Sequence, residues 1–263
     1  MIVLVIYSHK THREMIIVNS KEELKKLINQ RIKEQGPKCD LNDIDVSKID
    51  DMSELFINSK FNGDISRWDV SSVVCMTQMF ESSTFNGDIS RWDVSNARDM
   101  KGMFQYSKFN RDISQWDVSN VTDMSYMFEK SKFDGDISGW DVGSVEDMYC
   151  MFYASKFDGD ISGWDVGRVE NMSYMFANSV FNKNISRWNV SSVVDMSSMF
   201  EHSTFNGDIS GWNVSSVEYM NRMFENSKFS GDLSIWDTSK VRNMYCMFYK
   251  SPIDDNEPSW YKE

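Results

Sequence analysis

The chain has 263 residues, of which 41% are hydrophobic and 14% aromatic, so it has ample material for a buried core. Its formal charge of -12 is uneven: residues 1–36 carry seven Lys/Arg against four Asp/Glu, or +3, which leaves 21 against 36, or -15, for residues 37–263. This acidic balance argues against nucleic-acid binding through a basic groove, and it favours solubility or a basic partner.

The first 36 residues are predicted to form a ββα unit that covers one end of the fold. Residues 2–7 and 15–18 are β-branched runs joined by a polar stretch, which indicates a hairpin. Ser20 and Glu23 then have the spacing of a capping box, and Gly36 with the following proline ends the predicted helix. The apolar residues on one face of this helix are Leu24, Leu27, Ile28 and Ile32.

One ten-residue stretch, F-N-G-D-I-S-R-W-D-V at 61–70, returns nearly unchanged every 24 positions. Strict self-similarity is typical of stacked supersecondary units that cannot bury their apolar faces alone. We therefore predict a solenoid over 37–263, with a degenerate first coil at 37–60, eight full repeats at 61–252 and a decayed C-terminal coil at 253–263. The tryptophans that keep the 24-residue step are Trp68, Trp92, Trp116, Trp140, Trp164, Trp188, Trp212, Trp236 and Trp260.

Within each repeat the apolar spacing changes midway. Ile65, Trp68 and Val70 suit a short strand with the Trp and Val side chains inward. Met76, Met79 and the phenylalanine that follows recur at helical spacing, which indicates a helix of about two turns. The Asn-Gly-Asp corner before each strand suits a turn in which glycine has a positive φ. The predicted fold class is therefore α/β, with coils of strand, turn and short helix.

The repeated motif F-N-G-D-I-S-x-W-D-V-S-x-V-x-x-M-x-x-M-F-x-x-S resembles the roughly 25-residue repeat of BspA-like leucine-rich-repeat surface proteins of bacteria and mycoplasmas. The resemblance covers about residues 40–252. It implies a leucine-rich-repeat-like solenoid. Since such proteins are mostly surface molecules used in adhesion or protein binding, it also implies a binding function.

The opening residues and the family resemblance predict different compartments for the chain. The apolar opening at 1–7 lacks a cationic start and is too short for a signal peptide or a membrane span, so the chain as given is expected to be cytoplasmic. The resemblance implies the cell surface instead, if a leader has been removed.

Cys150 and Cys246 share a repeat position but lie four repeats apart, roughly 19 Å at about 4.8 Å per coil. Free thiols are therefore expected for all four cysteines.

Candidates for catalysis are weak. The serine columns Ser66 to Ser234 and Ser59 to Ser251 have no recurring histidine or lysine beside them, so stacked hydroxyls that satisfy backbone groups are expected. Calcium needs six to eight oxygens, and one aspartate per Asn-Gly-Asp corner supplies few. Arg111 and Lys183 also interrupt these corners. We predict no enzyme activity, no cofactor and no metal site.

Candidate binding residues lie in columns outside the core. The aspartates after the tryptophans either accept local hydrogen bonds or form a row that faces a cation or a basic partner. On the predicted helix side, tyrosines crowd the middle repeats; they either form an interface or pack between neighbouring coils. The candidate residues are Tyr126, Tyr149, Tyr153, Tyr174, Arg67, Arg91, Asp69, Asp93, Asp117, Asp141 and Asp165.

These observations predict a non-catalytic repeat scaffold that binds a protein partner and is itself a monomer. Two alternatives stay open. The acidic surface could act as a decoy that mimics nucleic acid or neutralises a basic partner. The array could also be purely structural and associate end to end through an uncovered coil.

Overall fold

The computed structural model describes residues 15–262 and contains few regular elements. These are strand β1 (Ile16–Ile17), helix α1 (Lys21–Gln35), strand β2 (Ile44–Asp45) and a short 3-10 helix at Asp254–Asn256. Turns and irregular backbone that repeat every 24 residues make up the chain between β2 and the 3-10 helix. The architecture therefore depends on repeated turns rather than on long helices or strands.

Helix α1 begins and ends as the sequence predicts. Ser20 is the N-cap, and its side chain accepts a hydrogen bond from the N–H of Glu23 at 3.2 Å. Gly36 follows the helix with a φ of 86°, and its N–H donates to the carbonyl of Ile32 at 2.9 Å. The predicted helix is confirmed, together with its capping serine and its glycine stop.

Helix α1 packs on the first coil of the array. Leu24 and Ile28 are buried in the common core. The Lys21 ammonium lies 3.0 Å from the carboxylate of Asp51 and also donates to the hydroxyl of Ser53. These contacts place α1 over the open face of the coil, where it shields apolar side chains from water.

The second strand of the predicted hairpin is present, but its observed partner is a different segment. Residues 15–18 contain β1, which pairs in parallel with β2 so that Ile16 lies opposite Ile44. The predicted first strand at 2–7 lies outside the described residues. β1 therefore extends the array by one strand on the side where each later coil carries its tryptophan.

Successive coils are joined by one repeated set of backbone hydrogen bonds. The N–H groups of Met76, Gln78, Phe80 and Ser82 donate to carbonyls 23 residues later, at 2.7–2.9 Å. Between them, the N–H groups of Met79 and Glu81 close local turns with carbonyls three residues earlier. We call residues 74–82 and their equivalents the ladder strip. Its four inter-coil bonds recur in every coil from Met52 to Asn226, so neighbouring coils are in register and in direct contact.

The predicted helix of about two turns in each coil is wrong. Gln78 and Ser82 have φ values of 54° and 53°, and the same two positions are left-handed in all nine ladder strips. An α-helix needs negative φ at every residue and bonds its N–H groups internally. Here alternate N–H groups bond to the next coil instead. The spacing of the apolar residues predicted a helix because the observed turns with left-handed residues also direct Met76, Met79 and Phe80 into the core.

The predicted strand at Ile65 to Val70 is also wrong, although its alternation is correct. Trp68 and Val70 are buried and Asp69 is exposed, but the N–H of Trp68 closes a local turn with the carbonyl of Ile65. Beyond β1 and β2, strand-like pairing among the described residues consists of single parallel bridges. Most of them link the position of Cys75 from coil to coil.

The core is one continuous stack of aromatic and thioether side chains. The rings of Trp68 and Trp92 lie 6.5 Å apart and within 4° of parallel. Trp140 donates its indole N–H to the carbonyl of Ile113 in the preceding coil at 3.1 Å, and the other tryptophans make the equivalent bond. Because each indole N–H donates to a backbone carbonyl, burial of the tryptophan column leaves none of these donors in need of a water molecule. The predicted inward orientation of the Trp and Val side chains is confirmed.

The glycine of the Asn-Gly-Asp corner has a different role from the predicted one. Gly87 does not have a positive φ. A Cβ at this position would lie 2.7 Å from the ring of Phe85, so glycine leaves room for the stacked phenylalanine. Arg111 and Lys183 occupy the same position in two other coils, so glycine is not required at every corner.

The predicted bonding of serine hydroxyls to backbone groups is confirmed for most of the column from Ser59 to Ser251, whereas in the column from Ser66 to Ser234 an aspartate side chain accepts the serine N–H. The N–H of Ser66 donates to the carboxylate of Asp64 at 2.9 Å. The hydroxyl of Ser107 accepts a hydrogen bond from the N–H of Phe109 at 3.2 Å. These bonds recur along the array and satisfy backbone groups where the chain changes direction.

Candidate binding surface

The aspartates that follow the tryptophans accept local hydrogen bonds. Asp69 accepts both from the N–H of Ser71 at 3.1 Å and from its hydroxyl at 2.6 Å. In the next coil, the hydroxyl and the N–H of Ser95 lower the pKa of Asp93. The local alternative is therefore confirmed for this column. The same backbone bond is made by Asp45, Asp117, Asp141, Asp165, Asn189, Asn213 and Asp237.

Each coil contains one further turn of this kind, and every coil except those with Cys75 and Tyr219 at the second position contains another. Asp88 accepts from the N–H of Ser90 at 3.0 Å, and Asp123 accepts from the N–H of Ser125 at 2.8 Å. A short acceptor that bonds the backbone two residues later fixes a turn, so these carboxylates define the corners of the coil. Their charge remains in place, but their primary contacts are with their own coil.

Arg67 and Arg91 come together in a shallow groove. Both are exposed, and with Asp88 and the edge of Trp68 they line an open space of about 330 Å³. The backbone N–H of Arg67 donates to the side chain of Asn42 in the preceding coil at 2.8 Å. The groove combines two cations with one carboxylate, so it has no strong net charge for recognition of one ion.

The structure brings the four candidate tyrosines into one cluster. Tyr126 and Tyr149 meet edge to face with ring centroids 4.9 Å apart, and Tyr149 meets Tyr174 at 5.9 Å. Tyr153 contacts Tyr174 at 6.4 Å. All four are half-buried, so part of each ring stays accessible. Tyr149 and Tyr153 lie on turns and not on the predicted helix, and both contact Tyr174.

Backbone conformation helps to hold this cluster. Tyr126 and Tyr174 occupy the first left-handed position of their ladder strips, with φ values of 60° and 58°. Tyr149 follows the Asp147 turn, where its N–H donates to the carboxylate at 2.7 Å. Because each backbone position is fixed by bonds between and within coils, the rings are held before any partner arrives.

Two lysines and a fifth tyrosine extend the cluster toward the N-terminal coils. The ammonium of Lys130 lies 5.1 Å from the ring centroid of Tyr106 and 5.3 Å from that of Tyr153. Lys101 lies 5.6 Å from the ring of Tyr126. Such cation–π contacts keep the ammonium groups at the surface of the rings. We call Tyr106, Tyr126, Tyr149, Tyr153 and Tyr174 the tyrosine patch.

A buried carboxylate anchors the N-terminal side of the tyrosine patch. Glu129 accepts from the hydroxyl of Tyr106 at 3.0 Å and from the side-chain amide of Gln105. The hydrogen bond that Tyr106 donates to Glu129 raises the pKa of the Tyr106 hydroxyl. The hydrogen bond between Lys130 and Tyr106 raises the pKa of the Lys130 ammonium. Tyr106 therefore stays protonated and Lys130 stays charged at neutral pH.

Burial also raises pKa values in the centre of the patch. The pKa of Tyr149 is raised because the ring is partly desolvated, and the pKa of the Cys150 thiol is raised to about 12 for the same reason. Burial likewise raises the pKa of Asp147. Cys150 is thus a neutral structural thiol and not a reactive thiolate. All four cysteines of the chain are free.

The comparison with known protein families gives one result. The model of the family described as "Mycoplasma protein of unknown function, DUF285" matches residues 23–128, 105–180 and 154–260. The chain belongs to this family. Three overlapping matches along one chain identify a tandem-repeat protein. No curated protein and no solved structure matches the chain.

Membership of the DUF285 family agrees with the coarser part of the resemblance described above, a mycoplasma-type repeat protein. The family description gives no activity. Within residues 15–262 of this DUF285 chain, α1 does not have the length and apolar character that a bilayer-crossing helix requires.

Sequence reasoning missed the residues that frame the tyrosine patch of this DUF285 protein. Tyr106, Lys130 and Glu129 were not candidates, although the repeat contained the necessary signal. Residues 24 apart occupy the same place in adjacent coils, so Tyr106 lies beside Lys130. A search for side chains at spacings of 21 to 25 residues would also have paired Tyr153 with Tyr174 and Tyr126 with Tyr149.

Proposed function

We propose that this DUF285 protein is a non-catalytic scaffold that binds another protein through the tyrosine patch. The observation that carries the proposal is the meeting of five tyrosines from four consecutive coils on one partly accessible face. We also propose that the whole array is a leucine-rich-repeat-like solenoid. The register of the ladder strips from Met52 to Asn226 supports this architecture.

The contacts of the core columns favour binding over catalysis. Tryptophan, methionine and phenylalanine side chains are buried, and the indole N–H groups are bonded to carbonyls. In one serine column the hydroxyls accept from backbone N–H groups, and in the other the serine N–H donates to an aspartate carboxylate. His202 is the one histidine among residues 15–262, and it lies 3.8 Å from the carboxylate of Glu201.

Tyrosine suits an interface of this kind. It is enriched in the energetically dominant positions of protein interfaces because one rigid ring provides a large contact area and a polar hydroxyl. Edge-to-face contacts and the two lysines already restrict the rings, so little side-chain entropy is lost on binding. The patch therefore offers a preorganised, partly apolar surface in an otherwise acidic array.

The test is capture of partners from extracts of the source organism by the immobilised chain. We expect the double substitution Tyr149→Ala and Tyr153→Ala to reduce recovery of a specific protein by about tenfold or more. Tyr219→Ala is the matched control, since Tyr219 is exposed on a ladder strip outside the patch. Thermal unfolding of each variant confirms that the array remains folded.

Salt and concentration separate this function from its alternatives. Retention of the partner between about 50 mM and about 500 mM NaCl supports a tyrosine-centred interface, because exposed charges are screened at the higher concentration. Loss of the partner at high salt, with no effect of the tyrosine substitutions, would support an acidic decoy instead. A sedimentation coefficient that rises with protein concentration would support a self-associating array.

A further inference from the structure

One lysine beside the tyrosine patch is enclosed differently from the others. The ammonium of Lys130 lies between two rings, 5.1 Å from the centroid of Tyr106 and 5.3 Å from that of Tyr153. Within residues 15–262, the ammonium groups of Lys101 and Lys250 each lie over a single ring. Two rings that face one cation form an aromatic cage, an arrangement with which proteins bind ammonium ligands.

Two oxygen acceptors complete the surroundings of this ammonium. The hydroxyl of Tyr106 lies 3.5 Å from Nζ of Lys130, and Oε1 of Glu129 lies 3.9 Å from it. Glu129 is only 6% exposed, and its carboxylate also accepts from the hydroxyl of Tyr106. Ring faces and a buried carboxylate together stabilise a primary ammonium, which carries three N–H donors. We call Tyr106, Glu129 and Tyr153 the ammonium cage.

Backbone hydrogen bonds hold the ammonium cage without help from the side chain of Lys130. The N–H of Tyr106 donates to the carbonyl of Glu129, and the N–H of Lys130 donates to the carbonyl of Tyr153, both at 2.8 Å. Ala154 occupies the position of Lys130 in the next coil, with a φ of 50° against 48°. Removal of the lysine side chain should therefore leave the cage in place and open its ammonium position.

The ammonium position is also accessible from solvent. The side chain of Lys130 is 43% exposed, and Tyr106 is 45% exposed. Because a lysine has a flexible aliphatic stem, its ammonium can leave the rings by side-chain rotation, with the backbone bonds intact. Lys130 is thus a tethered ligand, and a second ammonium can compete with it for the same position.

We propose that the ammonium cage binds a lysine side chain of the partner protein and that Lys130 occupies the cage as an internal competitor. The incoming ammonium takes the place of Lys130 between the two rings, while Lys130 turns to solvent. The cage belongs to the tyrosine patch, so the proposal rests on the proposed function and adds the group that the patch receives. The net charge of -12 favours the approach of a cationic partner.

The polar side of the cage favours a primary ammonium on a polypeptide over two other cations. A trimethylammonium group has no N–H to donate to Glu129 or to the hydroxyl of Tyr106. An ethanolamine head group has a primary ammonium, but its phosphate is repelled by the carboxylate of Glu129 and by the acidic chain. A lysine side chain provides the N–H donors without the phosphate.

The test uses the full chain and n-butylammonium chloride, the analogue of a lysine side chain. Amide chemical shifts of Tyr106, Glu129 and Tyr153 are followed by NMR, with potassium chloride at the same ionic strength as the reference. If Lys130 occupies the cage about nine-tenths of the time, the wild type should bind about tenfold more weakly than Lys130→Ala. The blocked peptide Gly-Lys-Gly should show the same difference, and the peptide with norleucine in place of lysine should not bind.

Two kinds of variant supply the matched comparison. Lys101→Ala should bind n-butylammonium like the wild type, since Lys101 lies over one ring only. In the Lys130→Ala background, Tyr153→Ala should weaken binding by about threefold to tenfold. Ala177 occupies the position of Tyr153 in the next coil, so the array accepts this change. Tyr106→Leu removes the other ring and is the second arm.

Four results would overturn the proposal. These are the absence of saturable shifts in Lys130→Ala, and equal binding by Lys130→Ala and the wild type. Tighter binding of butyltrimethylammonium than of n-butylammonium would contradict the role of Glu129. Tighter binding of phosphoethanolamine would identify a lipid head group as the occupant.

Failure of the ammonium cage and failure of the proposed function are distinguishable. The titration with n-butylammonium needs no partner protein. Capture of a partner that depends on Tyr149 and Tyr153, without ammonium binding by Lys130→Ala, would overturn the cage and leave the proposed function intact. Saturable ammonium binding together with partner capture that ignores the tyrosine substitutions would support the cage and contradict the proposed function.

Discussion

Left-handed backbone positions in residues other than glycine are the least expected feature at the scale of single residues. Seventeen such residues between 15 and 262 have a positive φ, and with Gly102 they form two positions per coil, four residues apart. The left-handed region costs roughly 1–2 kcal/mol per residue because Cβ approaches the following carbonyl oxygen. Valine, isoleucine and threonine, whose branched Cβ makes this cost larger, are absent from all eighteen positions. The left-handed positions of the array therefore exclude β-branched residues.

Ser82 tests this account, since it is exposed and has a φ of 53°. We expect Ser82→Val to lower the free energy of unfolding by about 1–3 kcal/mol, because a β-branched residue is strained in this region. Ser82→Gly should change it by less than about 1 kcal/mol, since relief of strain and loss of chain entropy oppose each other. Urea denaturation measures both values.

The matched control for Ser82 is Lys108→Val. Lys108 is exposed and does not have a positive φ, and its position is occupied by Val180 in another coil. This control should lie within about 0.5 kcal/mol of the wild type. Equal effects of Ser82→Val and Lys108→Val would show that the left-handed positions are not strained in solution.

At the scale of elements, α1 stabilises the array by covering the first coil. Repeat arrays are stabilised by contacts between neighbours, so an end coil depends most on whatever covers it. We expect Leu24→Ala to cost about 2–5 kcal/mol, because Leu24 is fully buried between α1 and the first coil. Amide hydrogen exchange should then increase first in residues 37–60, while the middle coils keep their protection.

Leu27→Ala is the control within the same helix, since Leu27 is only partly buried against the core. It should have a clearly smaller effect than Leu24→Ala. A uniform increase of exchange along the whole array after Leu24→Ala would instead mean that the chain unfolds as a single cooperative unit.

The ladder strip shows why an element can be wrong while its core residues are right. In M-x-x-M-F, a helix and a succession of turns with left-handed residues both direct Met76, Met79 and Phe80 inward. The alternatives differ in where the N–H groups bond. A helix would bond them within one coil, whereas the observed turns release every second N–H for the next coil. The stack favours the turns because they link its members.

For the whole molecule, the repeated aspartate turns predict loss of stability in acid. Eleven described aspartates have a lowered pKa; for example, the N–H of Ser90 lowers the pKa of Asp88, and the hydroxyl of Ser95 lowers that of Asp93. An aspartate whose pKa is lower in the folded chain than in the unfolded chain stabilises the fold, and this contribution is complete above the ordinary pKa of 3.8. That contribution is lost as the pH falls through the lower folded value.

We therefore expect the thermal unfolding midpoint to be level near neutral pH and to fall steadily below pH 3.8. Asp147 and Glu81 act in the opposite sense, because burial raises their pKa values and protonation relieves the cost of their charge. Asp93→Asn is the control: it keeps an acceptor for Ser95 but does not titrate, and Asn189 makes the same turn naturally. This variant should lose less stability than the wild type over the same acid range.

The opposite result would have a clear meaning. A midpoint that rises below pH 3.8 would show that repulsion between stacked carboxylates exceeds the stabilisation from their turn bonds. The aspartate columns would then be held in place at a cost, as expected for a surface that serves a basic partner.

The sequence by itself determined the 24-residue period, the buried columns of Trp68, Met76 and Phe80, and helix α1 with its capping serine. These features depend on local chemistry and on side-chain spacing, and both are given directly by the amino-acid sequence. Only the tertiary structure decided the backbone of the ladder strips and the contacts between Tyr126, Tyr149 and Tyr174. The physical reason is that both depend on the adjacent coil: its carbonyls accept the alternate N–H groups, and its position brings together rings more than twenty residues apart.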